Sequence, residues 1–322
     1  MVVALLAAVL LMGLASCGDG GAEPGASQEA TVVLDFTPNA VHAGIYAAQA
    51  KGYFAKQGID LTIQQPGATS DAPKLLAAGK ADFAVMDIND LAIAREKGAD
   101  LVAIAPLVDR PLAAVIVNND APRDLEGATV GVTGVPSDDA VLDTVLDGLG
   151  TPPRAVKRVT IGFTAVGSLA AGKVDAATAF RNAEGVELKQ KGVPVRTLAV
   201  ERYGAPAYPE LVVVTAASTI SSDPSLVRGT TIAIRHGGRL ASSDPGQGLD
   251  ALLAANPSLD RGSQKAQLET VARSEGASFD FSTLRRWSAW ASRHGITRRL
   301  TDVGRAFEPG EDLSAGDQLY GN

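Results

Sequence analysis

Cysteine is almost missing from this chain of 322 residues: Cys17 is the only one. A single thiol can build neither a disulfide framework nor a thiolate metal site. Basic residues are also in deficit, 29 Lys and Arg against 36 Asp and Glu, for a formal net charge of -7. Nucleic acid is therefore excluded as a partner, because phosphate binding needs a surplus of positive charge on one face. The three histidines, at 42, 236 and 294, are scattered. No Gly-x-Ser-x-Gly elbow, P-loop or His-Glu-x-x-His pair occurs, so there is no ready nucleophile, phosphate cradle or metal pair. No catalytic residue, metal site or cofactor is expected. No apolar run after residue 14 approaches the roughly 20 residues that cross a bilayer as a helix.

What is present begins with Met1 to Leu14, nearly all apolar and too short to span a hydrocarbon core of roughly 30 Å. This is the pattern of a signal-peptide h-region, although no Lys or Arg precedes it. The run ends in Leu14-Ala15-Ser16-Cys17-Gly18, which resembles the lipobox at which bacterial lipoproteins are cleaved. A lone cysteine is often a buried structural thiol, but this one lies between an apolar leader and a Gly/Ala/Ser-rich stretch that fits no core. The expectation is a signal peptide over 1–17 with lipidation at Cys17, then a flexible tether over 18–30. The mature chain would sit on the extracytoplasmic face of the membrane, held by its lipid.

About 290 residues remain, more than one ordinary domain, so two lobes are expected. Short apolar runs at Thr31–Asp35, Ile59–Gln64, Phe83–Met86 and Leu101–Leu107 alternate with helical segments at Val41–Lys51, Ser70–Ala78 and Asn89–Lys97. Such alternation implies a mostly parallel sheet covered by helices. A second series runs from Thr129–Val132 to Val195–Ala199, with helices near Ser137–Leu149, Thr164–Ala171 and Asn182–Lys191. The two series echo each other: Leu76-Ala77-Ala78-Gly79-Lys80-Ala81-Asp82 recurs as Leu169-Ala170-Ala171-Gly172-Lys173-Val174-Asp175. Ala113–Val117 and Leu211–Thr215 read as the crossings between lobes. The segment after Thr215 reads as mainly helical, returning to the first lobe. The expected division is 31–115 and 211–322 in lobe 1, and 116–210 in lobe 2, with a ligand cleft at the strand C-termini.

The stretch Leu34-Asp35-Phe36-Thr37-Pro38-Asn39-Ala40-Val41-His42-Ala43-Gly44-Ile45-Tyr46 resembles the opening signature of the NMT1/THI5-like family. The pattern continues through Gly52-Tyr53-Phe54, Gly58-Ile59-Asp60-Leu61 and Gly79-Lys80-Ala81-Asp82-Phe83. The resemblance implies an α/β chain with the periplasmic-binding-protein type II fold, two lobes joined by a hinge with a ligand cleft between them. It also implies capture of a thiamine pyrimidine precursor, or a related heteroaromatic solute, for an ABC transporter permease. A monomer is expected. Relatives of the same fold carry riboflavin, taurine, alkanesulfonates or nitrate, which keeps those solutes open. Fungal members make the thiamine pyrimidine themselves, using a Cys-rich metal-binding motif that a chain with only Cys17 lacks.

The candidate contacts follow from chemistry and position. Asn39 precedes the first helix and either caps it or caps it and touches the ligand. His42 lies one turn on; a lone His is more often a satisfied packing residue, and the family pattern raises its case as a contact. Asp87 follows a strand end, where cleft residues of α/β sheets emerge. Ser137 and Asp138 open a second-lobe helix whose N–H groups face the cleft in the family. Phe180, Arg181 and Glu184 end the strand that mirrors Phe83–Asp87. A flat aminopyrimidine needs an aromatic face and a carboxylate acceptor, which Phe180 and Glu184 supply. The lesser alternative is a core plug and a solvated helix-start acid. Arg181 stands where relatives carry an aromatic residue, and a guanidinium can stack or meet an anion. Trp287 and Trp290 read as packing residues.

Overall fold

The computed structural model describes residues 27–67, 72–271 and 278–308. The leader, Cys17 and most of the tether fall outside them. Among the described residues the strands are β1 (Gln28–Val33), β2 (Ile59–Gln64), β3 (Phe83–Asp87), β4 (Leu101–Val108), β5 (Ala113–Asn118), β6 (Thr129–Val132), β7 (Lys157–Thr160), β8 (Ala176–Phe180), β9 (Val195–Ala199) and β10 (Leu211–Ala216). They form two five-stranded sheets, ordered β2-β1-β3-β10-β4 and β7-β6-β8-β5-β9. In each sheet the first three strands pair in parallel. In each, one strand runs antiparallel between its two neighbours: β10 between β3 and β4, and β5 between β8 and β9. β4 and β10 are buried along almost their whole length, because helices cover both faces of the sheet.

The repeated sequence is a repeated structure. Gly79 and Gly172 close their helices in the left-handed conformation, at φ +62° and +63°. Asp82 then accepts a hydrogen bond from the Thr31 N–H at 2.8 Å, and Asp175 accepts one from the Thr129 N–H at 2.7 Å. The backbone N–H groups of the same two aspartates donate back to the Thr31 and Thr129 carbonyls. Each aspartate therefore locks its lobe's third parallel strand onto its first. The strand order shows the same duplication, with each antiparallel strand supplied by chain that has just crossed from the other lobe.

Several boundaries differ from expectation. β1 starts at Gln28, so the last residues assigned to the tether belong to the first sheet. Ala113–Val117 and Leu211–Thr215 are not crossings: β5 lies wholly in the second sheet and β10 wholly in the first. The crossings are the short links at 109–112 and 200–210. The chain has therefore entered the second lobe by Ala113, three residues before the expected division. β7 was not foreseen as a separate strand.

After β10 the helices Pro224–Ser243 and Pro245–Ala255 pack on the outer face of the first lobe. Pro224–Ser243 crosses the helix Ala43–Ala50 in backbone contact, with Gly237 and Gly238 against Gly44. A Cβ on Gly237 would stand 2.0 Å from the Gly44 carbonyl oxygen and 2.7 Å from Ala48 Cβ. Gly237→Ala is expected to push the helices apart and lower stability by about 1–3 kcal/mol or more, which urea denaturation would measure. The C-terminal part does not belong to the first lobe alone. On the helix Phe281–Arg293, Trp287 Nε1 donates to Asn89 Oδ1 in lobe 1 at 3.0 Å. Trp290 Nε1 donates to Thr144 Oγ1 in lobe 2 at 2.9 Å. Both indoles are buried, as their reading as packing residues anticipates.

Candidate functional site

The two sheets face each other across a cavity of about 630 Å³. Its walls come from the C-terminal ends of five parallel strands: β1 and β3 in the first lobe, β6, β7 and β8 in the second. This is the crevice that open α/β sheets offer to ligands. Of the residues proposed from sequence, Asn39, Asp87, Ser137, Asp138, Phe180 and Glu184 line it, drawn from both lobes. His42 and Arg181 do not.

His42 is fully buried beneath the site. Its Nδ1 accepts the Asn39 N–H at 3.2 Å, which fixes the tautomer with the proton on Nε2. That proton is donated to Asp35 Oδ1 at 2.7 Å, and Asp35 reaches the cavity. His42 thus orients an acid that the sequence reading did not single out. Asn39 is a cap, its Oδ1 accepting the Val41 N–H at 3.0 Å, and it lines the cavity. The helical segment it caps begins as the single 3-10 turn Ala40–His42 before the α-helix Ala43–Ala50.

Arg181 turns away from the cleft. Its Nη1 is paired with Glu201 Oε1 at 2.7 Å, and its backbone N–H donates to the Leu112 carbonyl on the first crossing. The guanidinium therefore braces the hinge region instead of presenting charge to a ligand. Its neighbours go the other way. Glu184 Oε2 accepts the Phe180 N–H at 3.0 Å, and burial raises the Glu184 carboxyl above its ordinary range. Asn182 lines the cavity, 4 % exposed, with its side-chain oxygen unpaired within the protein. Asp138 holds the β6–helix turn by accepting both the N–H and the Oγ1–H of Thr133 at 2.5 Å. Gly134 takes φ +102° in that turn, and Ser137 sits in the first turn of the helix Pro136–Leu149.

Two properties of the lining stand out. The first is aromatic. Phe36, Phe163 and Phe180 are 52 %, 79 % and 40 % exposed, and all three line the cavity. Phe36 comes from the first lobe and the other two from the second. Large rings left open to water on opposite walls are placed to cover a flat solute. Phe163 was missed because its strand, β7, reads Lys-Arg-Val-Thr and carries no apolar run. The second property is charge. Asp35, Asp87, Asp90, Asp138, Glu184 and Glu210 line the cavity; among the described residues its only cations are Lys74 and Lys97. Glu210, at the end of the second crossing, is buried, and it too was not foreseen.

The model of the family described as "NMT1/THI5 like" matches residues 39–248. A formylaminopyrimidine-binding protein of Halalkalibacterium halodurans is 31% identical over 258 residues, 78% of each chain. The 4-amino-5-hydroxymethyl-2-methylpyrimidine phosphate synthase THI5 of Saccharomyces cerevisiae is 28% identical over 166 residues, 50% of this chain and 48% of the yeast protein. Among solved structures, the periplasmic aliphatic sulphonate binding protein SsuA of Escherichia coli superposes with a TM-score of 0.73 at 14% identity. The match covers 88% of this chain and 93% of that one. The fold is that of the periplasmic binding proteins.

Proposed function

The chain belongs to the NMT1/THI5-like family, and from that membership and the chemistry of its cleft we propose that it captures an amino-bearing heteroaromatic solute of the thiamine-pyrimidine class. The observation that carries the reading is the pairing of three open phenylalanine rings with an acidic lining. An aminopyrimidine offers a flat face to the rings and N–H donors to Glu184, Asp87 or Asp35. Anionic solutes fit less well. Taurine, alkanesulfonates and nitrate would meet six carboxyl groups, while the arginine that could have received them is held by Glu201.

Capture proceeds by hinge closure: contacts made from both lobes to one solute favour the closed form over the open one. The closed form presents the solute to an ABC permease, with the chain held at the extracytoplasmic face by lipid on Cys17. In this reading the protein binds and hands over its solute unchanged, in contrast to the synthase members of the family.

The test is a comparison of thermal melting with 4-amino-5-hydroxymethyl-2-methylpyrimidine, its formylamino relative, thiamine, riboflavin, taurine and nitrate. A ligand at about 100 times its Kd adds about 2.7 kcal/mol and raises the midpoint by several degrees. A shift with the aminopyrimidines, with the solute recovered intact by mass spectrometry, is the expected result. A shift with the anions alone would overturn the assignment. Recovery of a converted pyrimidine would move the chain to the synthase side of its family.

A further inference from the structure

The cavity does not end at the rings. The helix Ile88–Glu96 starts at Asp87, on the cleft, and the cavity follows it down the first lobe. Asp90, Ile93, Ala94 and Lys97 all line it. Standing at positions i, i+3, i+4 and i+7, they form one stripe along that helix. At about 1.5 Å per residue the stripe is roughly 10 Å long, and Lys97 stands roughly 15 Å beyond Asp87. Pro73 and Lys74, from the helix Ala72–Ala77, and Ala99 complete this arm of the cavity. A single pyrimidine ring is shorter than the stripe alone. The whole cavity, about 630 Å³, is of the size that takes drug-sized ligands, roughly 300–1,000 Å³.

Charge changes sign along the arm. Five of the six carboxyl groups, those of Asp35, Asp87, Asp138, Glu184 and Glu210, lie just beyond strand ends or on the second crossing, and Asp90 follows one turn into its helix. The two lysines are at the other end. The helix Ala72–Ala77 leads into the start of β3, and the helix Ile88–Glu96 leaves the end of β3 and runs back beside it. Lys74 lies in the last turn of the first helix and Lys97 directly follows the second, so both stand on the side away from the strand C-termini. Both are exposed. Neither has an ion-pair partner among the described residues. Ile93, Ala94, Pro73 and Ala99 supply the uncharged floor of this arm.

Resting on the reading of the cleft as an aminopyrimidine site, we infer that the solute carries an extended arm ending in an anionic group such as a phosphate ester, which lies along the helix Ile88–Glu96 and is received by Lys74 and Lys97. The ring is held by the open phenylalanines and the carboxyl groups. The arm crosses the uncharged floor, and its anion meets two ammonium groups that have no carboxylate of their own. An anion without the ring gains only the exposed lysines, and a ring without the arm gives up the lysine contacts, so the two ends together select one kind of solute. Both lysines belong to the first lobe, so the anionic end is held in the open form as well as the closed one.

Thiamine and thiamine phosphate test this directly. Both contain the aminopyrimidine and share the second ring with its positive charge; only the phosphate ester ends in an anion. In calorimetric titration of the full chain at low salt, thiamine phosphate is expected to bind roughly tenfold more tightly than thiamine, since two exposed ion pairs form and each contributes up to about fivefold. The preference should shrink as salt is raised, because exposed charges are screened. In the variant combining Lys74→Gln and Lys97→Gln, the two compounds should bind alike. Should that variant fail to fold, as its melting would reveal, the salt dependence of the wild-type preference still decides. Equal affinities in the wild-type protein, or a preference that survives the double substitution, would overturn the inference. So would binding of 4-amino-5-hydroxymethyl-2-methylpyrimidine but of neither thiamine compound, an outcome that leaves the reading of the cleft intact. Failure of all three to bind would overturn that reading and this inference with it.

Discussion

Glu184→Gln is expected to weaken binding of an amino-bearing pyrimidine by about 1.5–3 kcal/mol, the scale of a hydrogen bond to a charged group, or roughly ten- to 150-fold in Kd. The substitution is chosen because it keeps the fold. Gln retains an oxygen that can accept the Phe180 N–H, which Glu184 receives at 3.0 Å, and it leaves the start of the helix Glu184–Gln190 in place. What it removes is the negative charge that an amino group would meet. The pH dependence follows from the raised position of this carboxyl. In the wild-type protein, affinity should fall as pH drops through that raised value, because a protonated Glu184 no longer accepts from the solute as an ion. The Gln variant should lack that acidic fall. Calorimetric titration across a pH series measures both effects, and an unchanged Kd in the variant would remove Glu184 from the site.

The contrast between Glu184 and Arg181 shows what could be read from sequence. Phe180-Arg181-Asn182-Ala183-Glu184 is one turn of chain at the end of β8, and its position at a strand terminus was legible from the echo between Asp82 and Asp175. Which side chains of that turn point inward was not legible. The answer depends on Glu201, twenty residues away, which claims the guanidinium. His42 is the same case on the first lobe: the family motif marks the residue, but its buried seat under Asp35 appears only when the loop is folded. The alternation of strands and helices was readable wherever strands were apolar on both faces, as in β3, β4 and β10. β7 pairs along only one side, at the edge of its sheet, and its half-buried Lys-Arg-Val-Thr gives no such signal. Phe163, which follows it, was lost with it. Glu210 could not have been found from local pattern, since its partners lie some 100 positions earlier in the chain.

The hinge also depends on a residue far from the ligand, and Trp290→Ala should reveal it. Trp290 is buried, stacked on Tyr208 with ring centroids 5.3 Å apart, and hydrogen-bonded to Thr144 at 2.9 Å. Tyr208 belongs to the second crossing and Thr144 to a second-lobe helix, while the helix that carries Trp290 also holds Asn89 of the first lobe through Trp287. Removing the indole leaves a cavity and takes one of the two hydrogen bonds from the Thr144 hydroxyl, which keeps its bond to the Ala140 carbonyl, at an expected cost of about 3–5 kcal/mol. That loss should lower the thermal midpoint by on the order of 10 °C. Trp287→Ala should cost a similar amount, since that ring is fully buried against Phe307. Stability alone does not show whether the two rings set the lobe angle, but lobe geometry should. The helix bridges the lobes through both rings, Trp287 to lobe 1 and Trp290 to lobe 2, so loss of either should expand the ligand-free protein in small-angle scattering and widen the compaction produced by a saturating aminopyrimidine. Scattering unchanged from wild type in both variants would mean that the links at 109–112 and 200–210, with Glu210 between them, set the lobe angle without help from the C-terminal helix.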